Sequence, residues 1–305
     1  MQHATRALAT AAALALTCAT PALADHEEPP AGRLALASSR SGSTDVWTMY
    51  TDGSDAVDLT PVPGADLWPA YSPDGQRIAF TRGSGLAREL WVMSADGTSQ
   101  VQVTSNSSGD NAPEWSPDGR HIAVARFAPD FTVDIWVVNV EGVEADLQLT
   151  DDPDFDSFPA WSPDGEWIAF SSDREGHQAV WRIRADGTGP LERLTPPEME
   201  AGTPEWSHDG KSIAFADNGC GTCDESDIWV LKLTDGKLTQ VTDTPDNELF
   251  PDWSPDDKWL VYERAEIVDG ELLLPDVFIT SVKHGGAFNL TASPGVLDFQ
   301  PTWVP

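Results

Sequence analysis

Five acidic residues occupy one repeated position in this chain. Asp66, Asp110, Asp156, Glu248 and Asp298 each stand three residues before a proline that opens a short aromatic segment, and Ala201 holds the sixth equivalent place. Carboxylates set alike around a ring would concentrate negative potential at a channel mouth. Such a mouth could hold a hard cation such as Ca2+ through oxygen ligands, or a basic segment of a partner. The competing reading is local, since Asp readily caps backbone N–H groups in its own loop. Cys220 and Cys223 form a C-x-x-C pair, for which a disulfide is expected in an exported chain. A redox site would need a βαβ context, and zinc would need two further ligands. His26, His121, His177, His208 and His284 form no ligand-spaced pair, and no G-x-S-x-G elbow occurs. No catalytic set emerges.

The elements that must position these residues are short hairpins. Segments 68–80, 112–124, 158–170, 203–215 and 250–262 share the pattern of FPAWSPDGEWIAF, and the aromatics directly before their turns, Tyr71, Trp115, Trp161, Trp206 and Trp253, are 44, 46, 45 and 47 residues apart. The central Ser-Pro-Asp-Gly suits a type I turn, with Pro second and Gly fourth. His208 replaces the Pro in one copy and Asp257 replaces the Gly in another. A third strand follows each hairpin, at 45–49, 89–93, 134–138, 179–183, 227–231 and 276–280, and a fourth ends at a Thr. A period in the forties with strand-like content predicts a β-propeller with one four-stranded antiparallel blade per repeat.

Six third strands accompany five complete hairpins, and the termini account for the difference. Residues 32–36 match the second half of the hairpin and residues 299–305 the first half. The expectation is an all-β, six-bladed ring closed by a C-terminal innermost strand that joins three N-terminal strands. Ten of the 13 Trp fall on first or third strands and read as packing between blades. Trp68, Trp167 and Trp259 remain as candidates for stacking on a sugar ring. Alternating strand direction sorts the loops: short turns lie on one face, and longer loops such as 218–226 and 266–275 lie on the other. Variable loops on a rigid scaffold are where binding is expected. Arg40, Arg82, Arg126 and Arg264 face Asp45, Glu89, Asp134 and Asp276 across hairpins, and cross-strand ion pairs are expected there.

Residues 1–24 read as a secretory signal peptide, with an Ala/Leu-rich run behind Arg6 and an A-x-A site ending at Ala24. Residues 25–31 read as a flexible lead-in and residues 32–305 as the propeller. The formal net charge of −32 disfavours nucleic acid and anionic membranes as partners and suits basic ones. An extracytoplasmic monomer, periplasmic or secreted, is the expectation.

The P-x-W-S-P-D-G-x-x-I-A-F unit, with its trailing D-G and L-T, resembles the TolB-type, WD40-like (PD40) propeller repeat over residues 32–305. That resemblance implies an exported binding platform; TolB itself docks the peptidoglycan-associated lipoprotein at the channel mouth. TolB also carries an α/β domain ahead of its propeller, whereas here a few residues separate the expected signal from the first strand. The resemblance favours a non-catalytic module that recognises a protein or cell-envelope ligand on the long-loop face. The alternative is a propeller enzyme, lactonase-, phytase- or lyase-like, holding calcium or another metal in its channel.

Overall fold

Each hairpin is built by its own turn. Ser72 Oγ donates to Asp74 Oδ1 at 2.6 Å and accepts from Arg77 N at 2.9 Å. Ser116, Ser162, Ser207 and Ser254 repeat both contacts in their copies. The serine bond holds the carboxyls of Asp74, Asp118 and Asp164 below the usual Asp range. Gly75, Gly119, Gly165 and Gly210 close the turns at φ of 65° to 73°, a region that costs glycine nothing.

The two departures from the turn pattern compensate one another. Asp257, in the glycine position, takes φ 56°. Its carboxylate accepts from the backbone N–H groups of His208 and Asp209 in the preceding blade, at 2.8 and 2.9 Å, and His208 Nδ1 lies 3.1 Å away. A proline at 208 would have no N–H to offer.

The computed structural model describes residues 28–219, 225–268 and 271–305. The expected signal peptide, residues 25–27 of the lead-in and the Cys220–Cys223 pair lie outside them. Within them, Pro30 O accepts from Thr51 Oγ1, which in turn accepts from Gly32 N, so the end of the lead-in is tied to the first blade.

Six four-stranded antiparallel sheets form the ring. Blade 1 comprises Asp298–Trp303, Arg33–Ser38, Asp45–Tyr50 and Val57–Asp58, in that order outward. Its innermost strand comes from the far end of the chain, with Leu34 opposite Trp303 and Ser38 opposite Asp298. Blades 2 to 6 follow in sequence, with innermost strands Asp66–Tyr71, Gly109–Trp115, Asp156–Trp161, Ala201–Trp206 and Asn247–Trp253. A small additional ladder pairs Ile267–Val268 with Glu271–Leu272 in the long loop of blade 6. The all-β, six-bladed architecture with terminal closure is therefore as the repeat predicts.

The core is distributed between the blades. Six apolar clusters each fill one gap; Leu34, Leu36 and Met49 of blade 1, for example, pack on Val261, Val277 and Ile279 of blade 6. The repeat's terminal Thr also has a structural task. The Oγ1 atoms of Thr60, Thr104, Thr150, Thr195, Thr242 and Thr291 accept from the third-strand N–H of Val46, Leu90, Ile135, Val180, Ile228 and Val277, at 2.8 to 3.1 Å. This pins each short outer strand where its ladder ends.

A double-mutant cycle tests the compensation between His208 and Asp257. His208→Pro and Asp257→Gly should each destabilise the protein, and the double variant should recover about 1 kcal/mol relative to the sum. Strictly additive urea-unfolding free energies would show that the two turns are independent.

Candidate functional site

The five repeated carboxylates lie inside the blades. Asp66, Asp110, Asp156, Glu248 and Asp298 have no exposed surface. Arg82 grips Asp66 through two bonds of 2.7 Å, Arg126 Nε meets Asp110 at 2.7 Å, and Arg174 Nη2 reaches both oxygens of Asp156 at 2.8 Å. Arg40 bonds Asp298 at 2.9 Å. In blade 6 Arg264 Nε bonds Asp246 at 2.7 Å and lies 3.9 Å from Glu248, whose burial pushes its pKa up to about 7.

The same guanidinium groups lie over third-strand rings, 4.7 to 5.8 Å from Trp47, Trp91, Trp136, Trp181 and Phe278. Carboxylate, arginine and aromatic ring thus clamp three strands together in five blades. Blade 5 lacks both charged members: Ala201 faces Asp217 where Asp66 faces Arg82. This geometry does not present the five carboxylates as an open ring at a channel mouth.

The expected cross-hairpin pairs also change partners. Glu89 is opposite Arg82, Asp134 opposite Arg126 and Asp276 opposite Arg264 in the backbone register, but Arg82 and Arg126 turn to the first strand and Arg264 to Asp246 just before it. Glu89 and Asp276 accept from the Oγ1 of Thr104 and Thr291 at 2.8 and 2.9 Å, and from nearby loop N–H groups.

Two residues beyond each clamp position, the innermost strand bulges. Trp68, Ala112, Phe158, Thr203, Phe250 and Gln300, each just before the hairpin proline, have φ between 45° and 55°. That region is costly for a residue with Cβ, by roughly 1–2 kcal/mol, and a following proline disfavours it further. The bulge brings side chains from alternate blades together on the axis. The ring centroids of Trp68, Phe158 and Phe250 lie 5.1 to 5.5 Å apart. Smaller Ala112 and Thr203 alternate with them, and Gln300 Oε1 accepts from Trp68 N at 2.8 Å. An aromatic plug therefore crosses the channel.

Beneath the plug, toward the short turns, lies a cavity of about 300 Å3. Its walls include Trp115, Trp206 and Trp303, and Pro73, Pro117 and Pro163 frame its mouth. Glu114, Glu205 and Asp252 line it. Burial, reinforced by mutual repulsion, holds Glu114 and Glu205 well above the usual Glu range. Burial also raises Asp252, although Trp303 N donates to it at 2.7 Å. These three residues directly follow the hairpin proline in APEW, TPEW and FPDW; the acidic character of that one position was the available signal, and the expectations drawn from sequence passed over it. Nearby, Glu263 accepts from Gln300 N at 3.0 Å, and its burial pushes its pKa up to about 8.

The three Trp considered for sugar stacking are otherwise engaged. Trp68 forms the plug, Trp259 is buried, and Trp167 is covered by Arg182 and Arg184 at 4.2 and 4.5 Å. Among the described residues no group of three His, Cys, Asp or Glu is placed to hold a metal ion.

Two variants follow. Arg126→Ala should cost about 3–5 kcal/mol, because it leaves Asp110 buried and unpaired, and Asp110→Asn in the same chain should restore part of the loss. The folded state holds a proton on Glu263 that an unfolded Glu gives up above about pH 4.5. Its contribution to stability is therefore full below pH 4.5 and is lost progressively as pH rises to about 8. Relative to the parent, Glu263→Gln should gain on the order of 5 kcal/mol across that window. An unchanged difference in thermal unfolding between pH 5 and 8 would refute it.

The geometry has counterparts. The TolB beta propeller domain model matches residues 2–126 and 88–223. No curated protein matches the chain. Among solved structures, TolB from Acinetobacter baumannii is 22% identical with a TM-score of 0.77, over 90% of this chain and 67% of that one. A TolB-like structure from Agrobacterium tumefaciens is 19% identical with a TM-score of 0.68, over 90% and 99%. An oligogalacturonate lyase in complex with manganese is 14% identical with a TM-score of 0.61, over 85% and 73%. At these identities the likeness to solved structures is one of fold. The family model spans more than half the sequence, and the chain belongs to the TolB beta propeller domain (PD40) family.

Proposed function

We propose that this chain is an exported, non-catalytic binding module that recognises a protein or cell-envelope partner on its long-loop face. The observation that carries the reading is the placement of exposed apolar side chains. Phe131 is 79% exposed in the long loop of blade 3, Phe155 is exposed in the loop leading into blade 4, and Leu272, Leu273 and Leu274 are exposed in the long loop of blade 6. Large apolar groups on several loops of one face mark an interaction surface more strongly than isolated ones would. The turns of the opposite face carry Asp, Gly and Ser, with fewer such groups.

The family supports the reading, because its fold is that of TolB. The signal-like N-terminus supports export, and the net charge of −32 suits a partner with basic groups around an apolar centre. Among the described residues no helix is long and apolar enough to cross a membrane. A metal-dependent propeller enzyme finds less support, since the described residues supply no ligand set.

Affinity capture from the native envelope tests the proposal with three baits: the parent, Phe131→Asp/Leu273→Asp, and Val143→Asp in a turn of the opposite face. Partner recovery should fall at least about tenfold with the first variant, a difference of about 1.4 kcal/mol, and stay unchanged with the second. Equal recovery on all three would overturn the assignment of the face.

A further inference from the structure

We propose that the axial cavity below the plug is a second binding site, for a small organic cation: a protonated amine carried on an apolar body. The site is independent of the long-loop face and opens on the other side of the ring.

Three features of the cavity select that chemistry. Its volume of about 300 Å3 lies within the range of small-molecule pockets. Its walls are indole and proline rings, which suit an apolar body and attract a cation over their faces. Its charged groups are Glu114, Glu205 and Asp252 from blades 3, 5 and 6, and among the described residues no arginine or lysine forms an ion pair with any of them. The clamp carboxylates on two of the same strands show the contrast, since Arg126 lies 2.7 Å from Asp110 and Arg264 3.9 Å from Glu248. His208 at the rim favours the charged form of Asp252 and is itself bonded to Asp257.

A second, independent observation concerns the neutral groups. Thr203 lines the cavity and is 8% exposed, yet its Oγ1 has no hydrogen-bond partner. The Nε1–H groups of Trp206 and Trp303, also on lining residues, are likewise buried and unpartnered, whereas Trp115 and Trp253 donate theirs to carbonyls of the preceding blade. Indole N–H groups are also unpartnered away from the cavity, on Trp47 and Trp181, so the pointer to a ligand is Thr203: a buried hydroxyl on a cavity wall is normally paired, and a ligand with polar atoms of its own would pair it. A bare metal ion fits poorly, because the carboxylates do not form a coordinating trio. An ammonium on a carbon skeleton can reach one or two carboxylates while its body lies against the indoles.

Isothermal titration of the full chain with benzylammonium, benzyl alcohol and benzoate at low ionic strength tests the proposal, with tryptophan fluorescence as a second readout. Benzylammonium should bind at least about tenfold more tightly than benzyl alcohol, and benzoate should not bind. Repeating the titration in buffers of different ionisation enthalpy should show proton release from the cavity acids. Glu205→Gln/Asp252→Asn should abolish the preference for the cation and leave benzyl alcohol binding unchanged; Phe131→Asp/Leu273→Asp should alter neither. Absence of benzylammonium binding up to about 10 mM, or equal binding of the amine and the alcohol, would overturn the proposal. Those two results come from the parent protein and stand even if the cavity variant does not fold.

Discussion

The carboxylate–arginine–aromatic clamp is the interaction on which the inner geometry of five of the six blades depends. A carboxylate with no exposed surface is tolerable only with a partner, and here the partner lies on the second strand or just beyond it. The guanidinium then covers an aromatic ring on the third strand. One charged group thus sets the relative height of three strands at the end where the innermost strand begins. Arg174 and Arg40 show that the contact matters more than the register. They lie two residues beyond Ser172 and Ser38, which face Asp156 and Asp298 directly, and they reach back to the same carboxylates. Blade 5 shows the converse, because its Ala and Asp depart from the pattern together.

The bulge beyond the clamp gives the ring its two unlike sides. Six residues in the left-handed region, each before a proline, carry a backbone strain that packing must hold in place. Three of them supply aromatic rings that fill the axis, and three supply smaller groups that leave room for those rings. The channel is therefore not a through-passage. One side presents exposed apolar loops, and the other a narrow acidic cavity walled by indoles.

Much of the fold was legible in the sequence because its determinants are local. Ser-Pro-Asp-Gly specifies a turn through contacts within a few residues, and repetition of that turn counts the blades and reveals how the termini close them. The partner of Arg82 was not legible, because Glu89 and Asp66 both lie within its reach and only the side-chain direction distinguishes them. The pairing of His208 with Asp257 required knowing that turns 49 residues apart meet across a blade gap. The cavity acids were hidden for a similar reason. Glu114 looks like any polar residue of a half-exposed strand until the bulge turns its neighbourhood toward the axis. Leu272 to Leu274 lay within a loop singled out for its length, yet their exposure depends on how the small ladder in that loop lies.

Ring closure brings together groups separated by nearly the whole chain: Arg40 and Asp298 are 258 positions apart. Contacts of such separation form slowly, because the loop entropy is spent before the contact repays it. A growing chain therefore carries a three-stranded first blade with an open inner edge until the final strand emerges. An open edge of this kind is a site for wrong pairing, so the interval before closure is when the nascent molecule is most exposed to aggregation or to exchange of its last strand with a second copy.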